Sequence, residues 1–373
     1  MSKKQSKIWE AEPHTIAKIE ILKGYLIPWF QIMCRAGKTG MYVDGFAGPG
    51  RYKNHHEGSP IAALIAAVNA IQDNPNGSIH CAFIEKNEAR YNSLLEQIAR
   101  FQNMARLHIH SYNSDFITGL AQLERDVPGP FTGNDPLLVF TDPFGATGAP
   151  FWTISKIMQS RTSEVLINLD ADGIGRIFLA DNNNREEQLT AVFGDDSWRQ
   201  LEESASHPQR TYREVLNLYK EELRSLPSVE YVFPFEMRSS KDMLNYFLVF
   251  ASQHPLGLEK MKESMKRMDQ TGTYCFSDAD VGQHRMFTTD DVDFYARRFA
   301  EHFLNKKITY SDAQKYALNE TPFTNPKAML RNLDESGRLS VGARAGSKRR
   351  KGSFVENDIE WVECHPPVSL FEL

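Results

Sequence analysis

The feature that most constrains this chain is an alternation, over its first half, of short apolar runs with amphipathic stretches of helical period. The runs fall at residues 40–43, 80–84, 107–110, 137–141 and 164–169. Strands separated by helix-length connections cannot pair as hairpins, so they predict a mainly parallel sheet covered by helices, an α/β fold. Two further strands are expected at residues 231–235 and 246–251, joined by a polar link containing Arg238-Ser239-Ser240-Lys241-Asp242. They should close the sheet with an antiparallel edge. After the first strand, Ser59 is placed to cap a helix, Pro60 suits its first turn, and residues 61–71 continue it. Residues 185–226 are charged and amphipathic and read as helices without visible chemistry.

The last quarter has a different pattern. Residues 291–303 and 311–318 have helical periodicity, and Asn325-Pro326 introduces a third helix ending near Gly337. Strands at 338–341 and 353–363 would flank a basic connection, giving a winged-helix-like C-terminal region. The expected division is therefore 1–285 for the α/β domain, with its N-terminal helices and helical insertion, and 286–373 for the remainder. A chain of 373 residues, 41% hydrophobic, can bury cores for both. Its net charge of -5 argues against a uniformly basic surface, so any nucleic-acid contact must come from a local patch. Lys348-Arg349-Arg350-Lys351 is such a patch; short basic runs are also often merely solvated. Cys34, Cys81, Cys275 and Cys364 are scattered and lack metal-ligand spacing. Residues 1–12 have no apolar core of signal-peptide length, and the longest aliphatic run, 61–68, is too short to span a bilayer. No membrane association and a cytoplasmic location are expected.

In an open parallel sheet, ligands bind beyond the carboxyl ends of the strands. The first strand ends in Asp44-Gly45-Phe46-Ala47-Gly48-Pro49-Gly50, where glycines let backbone approach a ligand closely. The second ends at Glu85, whose two oxygens suit a ribose diol. Asp115-Phe116 follows the third, where a carboxylate can accept from an adenine amino group. Three such positions in register are stronger than one glycine loop. Each has a bland alternative: a surface pair of Glu85 with Lys86, and a helix cap for Asp115. A dinucleotide site is disfavoured, because Gly-x-Gly-x-x-Gly is absent and Glu85 lies farther along than that site's acid.

The loop 44–50 resembles the first motif of class I S-adenosylmethionine-dependent methyltransferases. The chain as a whole resembles the three-Cys-motif partner proteins (TcmP). The residues that carry this resemblance are His14-Thr15 with Lys18, Tyr25 with Trp29, 43–52, Gly58-Ser59-Pro60, Phe83-Ile84-Glu85, Asp142-Pro143-Phe144-Gly145, Val165-Leu166-Ile167-Asn168, His254-Pro255-Leu256-Gly257, Met261-Lys262 and Met265. The resemblance implies a Rossmann-like class I methyltransferase fold and S-adenosylmethionine as cofactor. It also implies a protein partner carrying three cysteines in a radical-S-adenosylmethionine-like pattern, without establishing turnover.

Asp142-Pro143-Phe144 follows the fourth strand, at the same edge as the cofactor loops. An exocyclic amine on a base is a poor nucleophile. Hydrogen bonds to Asp142 and the Pro143 carbonyl would localise its lone pair, and Phe144 would stack on the ring. Amino-methyltransferases commonly have Asp/Asn/Ser-Pro-Pro-aromatic here; this chain has one proline and is closer to the Asp-Pro-Phe-Gly of tRNA guanine-N2 dimethyltransferases. The bland alternative is a turn with Phe144 in the core. Lys18 and Arg176 are candidates for a phosphate or substrate carboxylate, or for structural ion pairs. His55-His56 with Glu57 is a weak metal signal, and no metal is expected. Met261, Met265 and Met268 read as core packing. Two readings follow. One is an N-methyltransferase acting on an amino group of DNA or RNA, and the other a non-catalytic partner that binds nucleic acid or cofactor while another protein does the chemistry. An oxidoreductase is a distant third, separable by nicotinamide binding.

Overall fold

The computed structural model describes residues 10–54, 57–133, 135–143, 145–180, 183–202, 208–241, 243–269, 272–281, 291–347, 350 and 352–366. The chain divides into two compact units, Met1–His284 and Arg285–Leu373.

The first unit opens with α1 (Pro13–Arg35), then alternates β1 (Thr39–Asp44), α2 (Ser59–Asp73), β2 (Ser78–Ile84), α3 (Glu88–Ile98), β3 (Leu107–Tyr112), α4 (Phe116–Asp126), β4 (Leu137–Thr141), α5 (Phe151–Ile157) and β5 (Ser163–Leu169). Three helices follow, α6 (Ala171–Leu179), α7 (Arg185–Phe193) and α8 (Pro208–Ser225). The unit ends with β6 (Tyr231–Arg238), β7 (Leu244–Ser252), α9 (Pro255–Met268) and β8 (Cys275–Ser277). The eight strands form one sheet in the order β3-β2-β1-β4-β5-β7-β6-β8. β1 to β5 are parallel, and β7 is inserted antiparallel between β5 and β6. The order β3-β2-β1-β4-β5 is that of a Rossmann-like fold, and this is the mainly parallel, helix-covered sheet with an antiparallel edge expected from the alternation, with two corrections. The link after the sixth strand starts later, because Arg238 is still in β6. The outermost strand is β8, parallel to β6, and its three residues are too few to show a period.

Strand order reverses between β1 and β4, so their carboxyl ends diverge around a crevice; Asp44 and Asp142 stand on either side of it. The central strands are buried on both faces, which is why they read as continuous apolar runs. Met261 and Met265 are buried in the core, as their spacing indicated.

Ser59 does not cap α2. The cap position is Gly58, without a side-chain hydrogen bond, and Ser59 is the first helical residue; its hydroxyl instead donates to Asp44. As the first helical residue, Ser59 is past the cap position, and its hydroxyl serves the buried carboxylate instead.

One buried carboxylate joins four elements of this unit. Glu164 Oε2 accepts from Tyr25 Oη at 2.6 Å and Trp29 Nε1 at 2.8 Å, and Oε1 accepts from Ser252 Oγ at 2.7 Å. The amino end of α9 packs so closely that a Cβ on Gly257 would lie 2.2 Å from Oε1, so only glycine fits. Burial pushes the carboxyl upward, and the three hydrogen bonds and His254 oppose that shift. The helix N-terminus favours the charged form as well.

The second unit contains α10 (Val292–His302), β9 (Lys307–Ile308), α11 (Tyr310–Glu320), α12 (Lys327–Glu335), β10 (Leu339–Ala343) and β11 (Ile359–Cys364). Its sheet has three strands in the order β10-β11-β9, against the two expected. The last strand begins only at Ile359; residues before it include a 3-10 turn at Glu356–Asp358. Lys348, Arg349 and Lys351 lie outside the described residues, and Arg350 is exposed. All four cysteines are buried and unpaired. Among the described residues no helix is long and apolar enough to cross a membrane.

Glu164→Leu keeps bulk but strands three buried donors, so it should lower unfolding free energy by roughly 2–4 kcal/mol. Glu164→Gln should recover part of that loss. Urea denaturation of the three proteins checks both, and a leucine variant of wild-type stability would contradict the assigned role.

Candidate active site

The glycine loop is held by its own strand ends. Gly45 N–H donates to Phe140 O, and Ala47 N–H to Ile84 O, both at 2.9 Å. The Gly48 N–H donates to Glu85 Oε2 at 3.0 Å. Gly48 has a φ of 65°, the left-handed region, and a Cβ there would meet nothing within 4 Å. The conformation, rather than crowding, demands glycine, and the space above it is open. Phe46 packs on Phe116 with ring centroids 5.5 Å apart, and Pro49 O accepts from Ser93 Oγ.

Glu85 is 6% exposed and also accepts from Asn87 N–H at 2.6 Å through Oε1. It is therefore a loop carboxylate rather than a surface partner of Lys86. Each oxygen accepts one backbone N–H and keeps a second lone pair. Asp115 caps α4: it accepts from Thr118 N–H at 3.0 Å and Thr118 Oγ1 at 3.1 Å. These hydrogen bonds hold its carboxyl below the ordinary range. The capping alternative is thus what the geometry displays, and Phe116, the first residue of α4, is core.

Asp44 is fully buried at the end of β1. Its Oδ1 accepts from Phe46 N–H at 3.2 Å and its Oδ2 from Tyr42 Oη at 3.4 Å. Desolvation pushes its carboxyl up to about 7, against the hydrogen bonds from Ser59 and Phe46, and Asp142 adds repulsion.

Across the crevice, Asp142 is held more firmly than an open acceptor would be. Lys18 Nζ donates to Oδ2 at 2.5 Å, and Asn168 Nδ2 donates to Oδ1. The Lys18 ammonium also lies 5.2 Å from the centroid of Tyr246, whose hydroxyl donates to His14 O at 3.4 Å. Burial, with Asp142 and Asp278 adding to it, pushes the Tyr246 phenol well up. Each Asp142 oxygen already holds one donor and keeps a second lone pair, so an acceptor amine would meet a carboxylate whose charge Lys18 has paired. The amide orientation of Asn168 follows from its partner: a carboxylate only accepts, so the NH2 faces it. Asn168 Oδ1 is left buried with no hydrogen-bond partner. It is a buried, unpaired acceptor beside Asp142. Its signal in the sequence was its place four residues after Glu164, on the same face at the far end of β5.

The other candidates separate cleanly. Lys18 belongs to the site as an ion-pair partner. Arg176 is 73% exposed on α6 and pairs with Asp172 one turn away at 3.4 Å, a solvated helix pair. Pro143 follows Asp142, and Phe144, His55 and His56 lie outside the described residues. Glu57 is paired with Lys23 at 2.6 Å. A cavity of about 240 Å³ opens at the opposite, amino edge of the sheet beside Tyr25, Trp29 and Glu164. The Glu164 carboxylate there is paired on both oxygens.

Asp44 gives a pH signature. A carboxyl held near 7 in the folded chain and 3.8 outside it contributes stability that is full below about 3.8 and is lost as pH rises through about 7. Asp44→Asn should therefore match wild type near pH 4. By pH 8 it should be more stable by roughly 2–4 kcal/mol. Denaturant titrations at both pH values check this; a constant difference would contradict the buried carboxyl.

No family model matches the chain, and no curated protein sequence matches it. Solved structures do. An O-methyltransferase from Bacillus cereus in complex with SAH matches at 13% identity over 62% of this chain and 80% of that one, TM-score 0.34. The O-methyltransferase TomG from Streptomyces achromogenes, involved in tomaymycin synthesis and in complex with SAM, matches at 14% identity over 62% and 79%, TM-score 0.33. A putative S-adenosyl-L-methionine-dependent methyltransferase from Methanococcus maripaludis matches at 14% identity over 68% and 96%, TM-score 0.26. Overlaps of this size leave the reading of the site to its own residues.

Proposed function

We propose that the first unit binds S-adenosylmethionine along the carboxyl edge of β1 to β4 and transfers its methyl group to an amino nitrogen of a nucleic acid. The observation that carries this reading is Glu85: a nearly buried carboxylate at the end of β2, tied only to backbone N–H groups, beside a left-handed glycine with open space above it. The edge carries Asp44, Glu85, Asp115 and Asp142, an excess of carboxylates that suits a ligand bearing a sulfonium and an ammonium. In this reading Glu85 takes the ribose diol through its remaining lone pairs. Asp115 takes the adenine amino group while still capping α4, and the loop 44–50 lies against the methionine portion. Bound cofactor supplies an electrophilic methyl carbon.

The chain's own residues position the acceptor. Asn168 Oδ1 and the Pro143 carbonyl accept the two amine hydrogens, aiming the nitrogen lone pair away from its ring, and Phe144 stacks on that ring. Asp142 acts through Asn168 as a positioning residue, holding the amide by its NH2, and Lys18 fixes Asp142. The chain is read as a three-Cys-motif partner protein in the cytoplasm. The second unit, helix–strand–helix–helix–strand–strand, is read as a winged-helix module whose Lys348, Arg349, Arg350 and Lys351 meet phosphates. The Lys18–Asp142 pair also favours a second reading. A carboxylate already neutralised suits a domain that binds cofactor or nucleic acid while a three-Cys partner does the chemistry.

Glu85→Ala should weaken S-adenosylmethionine binding at least about tenfold by calorimetry. Asn168→Ala should leave that affinity within about threefold yet slow labelled-methyl transfer to DNA or RNA about a hundredfold. Intact binding without transfer by the wild-type chain, restored by a partner, would select the second reading.

Changing the four basic residues to Ala should flatten the log affinity–log salt slope by up to about 3.6 on duplex DNA. An unchanged slope with loss of protein-partner capture would assign the run to the partner.

A further inference from the structure

The amino end of α1 carries a cluster that the proposed methyl transfer does not use. His14 Nδ1 lies 2.6 Å from Asp278 Oδ2, and His14 Nε2 lies 3.3 Å from Glu12 Oε2. One ligand-capable atom from each of these three side chains lies within 4.8 Å of the other two. Asp278 is the informative member. Its side chain is 7% exposed, yet Oδ1 has no hydrogen-bond partner. A buried carboxylate with half its acceptor capacity unused carries a desolvation cost that its surroundings do not offset. The cluster is also short of positive charge. With a neutral imidazole the two carboxylates carry two negative charges, and an imidazolium cancels only one. The Lys18 ammonium, one turn along α1, is committed to Asp142.

We propose that Glu12, His14 and Asp278 bind one divalent first-row cation of the zinc(II) type, a site independent of the methyl-transfer reading. One imidazole and two carboxylates are the donor set that such borderline ions take. His14 and Asp278 are the buried, fixed ligands. Glu12, 72% exposed, closes onto the ion from solvent. The site is empty. Ligand atoms around tetrahedral zinc stand roughly 3.3 Å apart, so the His14–Asp278 hydrogen bond must open slightly as the ion enters. The proton shared by that pair leaves to solvent, and coordination replaces it.

The test is calorimetry of the full chain with zinc chloride in two buffers of different protonation enthalpy. One equivalent should bind, with proton release visible as a buffer-dependent heat. His14→Gln and Asp278→Asn should each weaken binding at least about tenfold, and Glu12→Gln should weaken it severalfold. Glu12 is solvent-exposed, so its variant tests the site even if the buried variants fail to fold. Among the described residues a competing imidazole cluster is His80, His108 and His110, stacked on β2 and β3 with His80 4.4 Å from His108 and 5.2 Å from His110 by ring centroids; His80→Gln, and His55→Gln with His56→Gln, should leave affinity unchanged. No stoichiometric binding, affinity unmoved by Glu12→Gln, or loss of binding on His80→Gln alone would each overturn the assignment.

Discussion

The placement of α1 across β5 is the constraint on which the first unit depends. Lys18, Tyr25 and Trp29 share one face of that helix, at i, i+7 and i+11, and the first two stand about 10 Å apart along its axis. Glu164 and Asn168 share one face of β5, about 13 Å apart. Tyr25 and Trp29 close on Glu164 at the amino edge, and Lys18 closes on the Asp142–Asn168 pair at the carboxyl edge. The helix is therefore pinned to the sheet at two points, both through carboxylates. Ser252 and Gly257 bring β7 and α9 to the first of these, so the antiparallel half of the sheet is locked to the parallel half by the same group.

This arrangement sorts residues that look alike in sequence. Tyr25, Trp29, His254 and Gly257 gather around Glu164 and serve the fold. His14, Lys18, Asp142 and Asn168 gather at the other edge, where the strand order reverses and a crevice must form. The chemistry available there follows from which acceptors are already occupied. Asp142 and Glu85 each accept two hydrogen bonds and keep a lone pair on each oxygen, Asp44 accepts from Tyr42, Phe46 and Ser59, and Asn168 Oδ1 has no partner.

The sheet was legible because its central strands are buried on both faces and each is followed by a polar or glycine residue. Composition and local period mark both properties. The placement of Asp44, Glu85 and Asp115 on one edge was legible for the same reason, since they stand at successive strand ends. β8 and β9 were not, being three and two residues long, and strands so short exist only through their neighbours. The role of Ser59 was misread because the cap position falls one residue earlier, at Gly58, and the Ser59 hydroxyl serves a buried carboxylate instead. The Lys18–Asp142 pair joins positions 124 apart in the chain. No periodicity reports such a contact, and Asp278 was missed for the same reason, lying 264 residues from His14.

The central claim is that the carboxyl edge of β1 to β3 is a nucleoside-binding surface. Amide hydrogen exchange of the full chain with and without S-adenosylhomocysteine tests it most directly. The account predicts slowed exchange at residues 45–50, at 85–87 and at the first turn of α4, with the Glu164 region unchanged. Protection absent from those segments, or produced there by a nicotinamide dinucleotide and not by S-adenosylhomocysteine, would contradict it.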